Sequence, residues 1–354
     1  MVMELLLKQA MKGVGRWCKS CFVNSPDPQL SDNKKKHNKD PHDLLVKFCN
    51  HKTHEGIISI FSHETNGVVE PYDPHDYILS DSAQLSVLGC HNGVVCLRFD
   101  FGDGLQAFLW NPKTGQTKVV PRTLYCRRPH GKPKCDANIL GFGFDAKNDD
   151  YKLVSIEGYL SSHSDEIFYD VEVYSLKWDS WRWVTSINNL DNDLHLPPSM
   201  TKGVYTNENE MYSWRVTYRG KEAIMSFEMS KEIIIFTPLP RPSCLHPYGY
   251  LTNLMDMNGR LAFLYRDPRF FSIWWLGELG VEHSWRKLIS IPLAYGLWPM
   301  AFWKNVGLVL RRLDDENLVL LDIATQRRKL LPISIPCSAE SAVFSFKPSM
   351  VPLN

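Results

Sequence analysis

Residues 109–121 read LWNPKTGQTKVVP: the end of an apolar strand, a polar turn, then a second short strand closed by proline. Pro112 presets a turn value of φ and Gly115 supplies a left-handed position, so residues 111–115 predict a chain reversal between a strand at 105–110 and one at 117–120. Just upstream, His91-Asn92-Gly93 predicts another tight turn, followed by the apolar residues 94–99. Residues 94–120 therefore form a three-strand meander.

The same plan returns four times. It begins again near Ile139 with GFGFDAKNDDYKLVSIEG and YDVEVYSLKWDSWRWVTSI, near Lys202 with GVYTNENEMYSWRV and AIMSFEMSKEIIIFTPLP, and near Leu251 with LMDMNGRLAFLYRD and FFSIWWLGELGVEHSWRKLISIP. From Trp298 come MAFWKNVGLVLRR and ENLVLLDIATQRRKLLPI. The recurrence of about 40 to 48 residues is the size of a four-stranded propeller blade. The fold expected is all-β, a β-propeller of about six blades occupying residues 42–354, with little helix beyond the N-terminus. Strands at 342–346 and 44–61 would share a blade and join the two ends of the ring. Trp110, Trp181, Trp214, Trp274, Trp285 and Trp303 fall in or beside strands of successive units, where a large flat ring fills the wedge between blades. A pair of β-sandwiches is the competing all-β arrangement.

Composition narrows the function classes. The 354 residues carry 40 Lys+Arg against 39 Asp+Glu, a net charge of +1, so nothing draws the chain as a whole toward nucleic acid or an anionic membrane. Nine scattered cysteines without a regular framework suit free thiols in a reducing compartment, cytoplasm or nucleus. No uncharged apolar run approaches the ~18 residues of a membrane span, and Glu4 and Lys8 interrupt the first apolar cluster, so neither secretion nor membrane insertion is expected. Residues 28–41 read as an exposed linker whose KKKHNK tract is either a solvated run or an import patch.

Chemistry is sparse. Cys18 and Cys21 with His37 and His42 have zinc-like spacing, but prolines and lysines stand where a supporting helix is needed. Cys126 and Cys135 sit in a Pro-rich stretch that suits free thiols. Gly141-Phe142-Gly143-Phe144 opens no helix and reads as close strand packing, not a phosphate cradle. Asp149-Asp150 and Asp314-Asp315-Glu316 lie in polar turns, and His195, His246 and His283 stand alone. The expectation is no catalytic residue, no metal site and no cofactor. The ligand surface expected is the set of long polar loops at one end of a central channel, residues 125–138, 161–167 and 190–199.

Eight segments in series, GCHNGVVCL, LWNPKTGQTKVVP, GFGFDAKNDDYKLVSI, VEVYSLKWDSWR, SFEMSKEIIIFTPLP, MNGRLAFL, IWWLGELGVEHSWRKL and LVLLDIATQRRKLLPI, resemble the type 1 F-box-associated domain of plant F-box proteins. That resemblance implies a kelch-like propeller that binds substrate proteins. Glu4-Leu5-Leu6-Leu7-Lys8, Lys12, Arg16-Trp17, Cys18-Lys19-Ser20 and Asn24-Ser25-Pro26-Asp27 are similar to the second half of an F-box, the helical module that docks on the Skp adaptor of a cullin-type ubiquitin ligase. Met1 falls inside the motif, Gln9-Ala10 replaces Leu-Pro, and Val14-Gly15 replaces a leucine pair, so residues 1–27 read as a truncated, degenerate F-box remnant. The resemblance assigns adaptor binding to Leu5, Leu6, Leu7, Lys12, Arg16 and Trp17, and implies a substrate-recognition subunit of the ligase. The alternative is a stand-alone interaction propeller without ligase coupling.

Overall fold

Residues 44–46, 94–97, 261–265 and 308–310 are unbroken apolar runs in strands, a pattern that demands cover on both faces instead of one. The computed structural model, which describes residues 42–49, 56–62, 67–72, 84–100, 105–124, 134–160, 167–184, 193–196, 203–240, 250–303, 306–336 and 341–353, shows how they obtain it. The F-box remnant, the linker and the six adaptor residues Leu5, Leu6, Leu7, Lys12, Arg16 and Trp17 lie outside the described residues.

The strands form six antiparallel sheets. The first holds β1 (Asp43–Cys49), β2 (Gly56–Ser62) and β3 (Gly67–Tyr72). The second is β4 (Gln84–His91), β5 (Val94–Asp100), β6 (Leu105–Asn111) and β7 (Gln116–Val119). The third is β8 (Lys134–Asp145), β9 (Asp150–Leu160), β10 (Ile167–Ser175) and β11 (Ser180–Trp183). In the fourth, β12 (Leu194–His195) and β13 (Val204–Thr206) share one edge of β14 (Met211–Tyr218), followed by β15 (Lys221–Glu228) and β16 (Ile233–Pro238). The fifth is β17 (Tyr250–Met257), β18 (Arg260–Arg266), β19 (Phe270–Leu276) and β20 (Trp285–Pro292). The sixth is β21 (Leu297–Trp303), β22 (Gly307–Arg312), β23 (Asn317–Leu321) and β24 (Arg328–Ser334). The last strand, β25 (Ala342–Phe346), returns to the first sheet as the neighbour of β1, with Phe346 opposite Asp43 and Ala342 opposite Lys47. This is a six-bladed propeller closed by pairing its two ends, as the sequence led us to expect; six small sheets exclude the sandwich pair. The described residues include two single-turn 3₁₀ helices, Glu282–Ser284 and Leu293–Tyr295.

The buried side chains gather into six clusters, one at each seam between neighbouring blades. The period-2 geometry of a strand sends alternate residues to opposite seams. In β1, Leu44 and Val46 pack toward the sixth blade while Leu45 packs toward the second. In β18, Ala262 and Leu264 face the sixth blade, and Leu261, Phe263 and Tyr265 face the fourth. All six wedge tryptophans are buried. Four tie blades together through the indole N–H: Trp181 donates to Pro121 O at 2.6 Å, Trp285 to Pro238 O at 2.7 Å, Trp303 to His42 O at 2.6 Å and Trp214 to Leu140 O at 3.3 Å. Trp181 and Trp285 each follow a serine, and each bonds the proline beyond or at the end of the preceding blade's last strand. The Ser-Trp-Arg and terminal-Pro signatures of successive units are thus two halves of one clasp.

The Asn-Gly turns are tight hairpins with both residues left-handed, φ 44 and 80 at Asn92-Gly93 and 52 and 93 at Asn258-Gly259. Gly141 serves a different need: a Cβ there would lie 2.7 Å from both Tyr212 and Trp214 of the fourth blade. Its bareness lets the Tyr212 ring cross β8 and donate to Leu88 O of the second blade at 3.0 Å.

The turn of residues 111–115 closes as expected, with Gly115 N–H donating to Asn111 O at 2.9 Å and Lys113 N–H to Asn111 Oδ1 at 3.0 Å. Asn111 also does what no local pattern announces. Fully buried, it donates through Nδ2 to Ser349 O at 3.1 Å and Val351 O at 2.8 Å, fastening the chain after β25 across the second blade. Leu353 then enters the seam between the second and third blades, its N–H bonded to Gln116 Oε1 at 3.1 Å.

Asn111→Ala removes one acceptor and both donors from this buried node, and about 1–3 kcal/mol of stability should go with them. Denaturant unfolding measures the loss, and limited proteolysis should cut residues 347–353 first. Trp285→Phe keeps an aromatic side chain in the seam but loses the indole N–H and part of the ring, stranding the Pro238 carbonyl, for which the expected cost is at least about 1–3 kcal/mol, read as a lowered midpoint at unchanged m-value.

Candidate functional site

The two ends of the ring differ in kind. At one, the hairpin end, short turns join the first and second strands of the second to fifth blades. At the other, the rim, the second strands finish and the connections between blades depart. Charged groups at the hairpin end are spent on holding blades together. Lys118 pairs with Asp179 at 2.6 Å and Arg260 with Glu208 at 2.7 Å, each across a seam. Lys152, buried, reaches Asp145 at 2.6 Å, Glu232 at 2.9 Å and Met229 O at 2.8 Å, and Arg182 meets the same Glu232. Burial alone would raise the Asp145 carboxyl, but hydrogen bonds from Asn148 and Lys152 outweigh it and hold the group below the ordinary carboxylate range. Burial would likewise lower Lys152, and the carboxylates of Asp145 and Glu232 hold it above its usual value. Aromatic side chains fill the same end, where His91 stacks on Phe144 at 5.1 Å and meets Tyr205 edge-on at 5.3 Å.

The innermost strands surround a cavity of about 780 Å³ along the propeller axis. Three arginines line it, Arg215, Arg266 and Arg311, against one carboxylate, Asp256. Asp256 is turned to the hairpin end, where Oδ1 accepts the Gly259 N–H at 2.6 Å. Sequence reading passed over these cations. For two of them the signal is positional: Arg215 and Arg311, like Lys47 and Arg98 in other blades, are each the fifth residue of their blade's second strand, while Arg266 closes its strand. Arg215 bonds Leu251 O at 2.9 Å and pairs with Glu222. Arg311, nearly buried, donates to Pro336 O at 3.3 Å. Phe168, Tyr250 and Leu313 are exposed apolar side chains at the rim, and Trp178 and Ile233 are exposed at the hairpin end.

The nominated loops leave from this same rim. Residues 134–138 are strand rather than loop, Lys134 pairing with Tyr159, and Leu194 and His195 pair with Tyr218 and Thr217. In both places the neighbouring strand offers an unpaired edge that recruits the polar segment. Residues 125–133, 161–166, 190–192 and 197–199 lie outside the described residues.

The turn reading of the acidic pairs holds. Asp149 is left-handed, Asp150 caps the next turn through Lys177 N–H at 3.0 Å, and Asp314 pairs with Arg312 at 2.7 Å. His195 and His283 are exposed on separate blades. Among the described residues no three His, Cys, Asp or Glu side chains gather in metal-binding geometry. Cys18, Cys21, His37, His246, Cys126 and the side chain of Cys135 lie outside the described residues. Cys90 lines the channel with its thiol directed at Ser345 O, 3.4 Å away; burial, with a smaller push from Asp256, raises it to about 12, so it carries no thiolate at neutral pH. Among the described residues no helix is long and apolar enough to cross a membrane.

Residues 19–313 match the family described as the F-box associated beta propeller domain. The chain belongs to this family. The matched range ends before β23 to β25, so the ring-closing strand lies beyond it. The chain is similar to the F-box/kelch-repeat protein At3g23880 of Arabidopsis thaliana, 27% identical over 292 residues, spanning 82% of this chain and 74% of that one. It is also similar to the F-box protein CPR1 of the same plant, 24% identical, spanning 72% of this chain and 65% of the relative. Among solved structures, TolB from Acinetobacter baumannii aligns over 86% of this chain and 65% of its own at 12% identity and a TM-score of 0.46, too loose a likeness to bear on function.

The Lys152 cluster has a defined pH signature. Asp145, held low, contributes stability that is present above the ordinary carboxylate value of about 4 and lost as pH falls through its folded value. Lys152, held high, contributes stability that is present below about 10.4 and lost as pH rises through its folded value. Lys152→Met leaves Asp145 buried without its cation, so about 3 kcal/mol should be lost at neutral pH and less at pH values where Asp145 is protonated. Unfolding curves across the acid range check both the size and the flattening.

Proposed function

We propose that this chain is the substrate-recognition subunit of a Skp-cullin-F-box ubiquitin ligase. The propeller holds a target protein at its rim, residues 1–27 couple it to the adaptor through Leu5, Leu6, Leu7, Lys12, Arg16 and Trp17, and other subunits perform ubiquitin transfer. The chain contributes proximity and no bond chemistry. The observation that carries the reading is family membership over residues 19–313. A cytoplasmic or nuclear setting belongs to the same proposal. The stand-alone propeller is the second reading, favoured by Gln9-Ala10 and Val14-Gly15, since glycine inside a helix costs ~1 kcal/mol and each lost leucine removes ~1.5–3 kcal/mol of burial.

Co-purification of the full chain with a plant Skp adaptor separates the two. Stoichiometric capture that disappears on deleting residues 1–20, with the propeller still folded, is the expected result. Absence of capture by the full chain overturns ligase coupling and leaves the stand-alone reading.

A further inference from the structure

Arg266 is held differently from the other arginines of the channel. Its guanidinium carbon lies 5.7 Å from the ring centre of Trp298, 5.8 Å from Phe271 and 6.0 Å from Tyr250, and Nη1 donates to the Tyr250 hydroxyl oxygen at 3.1 Å. Among the described residues no carboxylate pairs with it. Glu222 is engaged by Arg215, Asp314 and Asp315 by Arg312, and Asp267, next along the chain, accepts the backbone N–H groups of Arg269 and Phe270 at 2.8 Å. A guanidinium braced by aromatic faces is weakly hydrated and already ordered, so it loses little on receiving a bidentate carboxylate. Trp298 stands between this group and Arg311, as ring neighbour of the first and cross-strand partner of the second. Along the cavity wall arginines outnumber carboxylates three to one, and of the three, Arg215 is spent on the carboxylate beside it, Glu222. Tyr250, 47% exposed, and Leu313, 53% exposed, add apolar surface at that rim.

We propose that the channel rim at Arg266 binds an acidic peptide segment of the target, with a Glu or Asp carboxylate on Arg266 and an adjacent apolar side chain against Tyr250 and Leu313. The proposal rests on the propeller being the target-holding surface and narrows its targets to proteins with an exposed acidic and apolar stretch. It does not depend on adaptor coupling.

The test is fluorescence anisotropy of the full chain, without adaptor, against a labelled peptide of about twelve residues built from Glu, Leu and Gly, with its Glu→Gln counterpart as control. The expected result is binding of the Glu peptide that weakens with added salt, and at least about tenfold weaker binding of the Gln peptide. Arg266→Met, which keeps the stem against the rings, should lose about tenfold, Arg266→Lys less, and Arg182→Met at the hairpin end nothing. Thermal melts confirm that each variant is folded. Equal binding of the Glu and Gln peptides, or unchanged binding by folded Arg266→Met, overturns the proposal. If the adaptor is captured and the acidic peptide is not, this inference alone fails; if the peptide binds and the adaptor does not, ligase coupling alone fails.

Discussion

Every blade of this protein has two apolar faces, and no blade can bury both by itself. The ring must therefore close, and closure rests on β25 lying beside β1. That pairing brings Val343 into the seam with the sixth blade and Phe346 into the seam with the second, so one strand completes two of the six clusters. The chain after β25 extends the closure. By docking on Asn111 and entering the next seam through Leu353, it couples the C-terminus to the second and third blades as well as to the first.

Closure sets the two ends of the ring apart. Inter-blade ion pairs, the Tyr212 crossing over Gly141 and the His91 and Phe144 stack occupy the hairpin end and the seams near it, where short turns place side chains of neighbouring blades within reach. Second strands run from there toward the rim, and their polar residues emerge where strand pairing gives way to connections. Blades fastened to one another at one end thus present Arg266, Tyr250 and Leu313 at the other.

Much of the architecture was legible in sequence because strand alternation and turn chemistry are local. Asn92-Gly93 and Asn258-Gly259 announce left-handed hairpins, and GLVL or LAFL runs announce strands covered on both sides. Gly141 and Gly143 were legible as close packing, though not which rings approach them. The rim was less legible. Residues 134–138 and 194–195 are polar and read as loop, yet each pairs with a neighbouring strand whose free edge is visible only once the blade is assembled. Arg266 reads as an ordinary strand end; its significance lies in Tyr250, Phe271 and Trp298, contributed by three different strands.

The stretch LWNPKTGQTKVVP holds both lessons. By itself it determined a strand, a reversal built on Asn111, Pro112 and Gly115, and a second strand, and its repetition determined a ring of blades, because φ preferences and period-2 patterning act over a few residues. Only the tertiary structure decided that the amide of Asn111 faces the last residues of the chain, and that Pro121 offers its carbonyl to Trp181 of the next blade. Those partners lie 238 and 60 residues away. No local preference brings them there; burying both faces of every blade does.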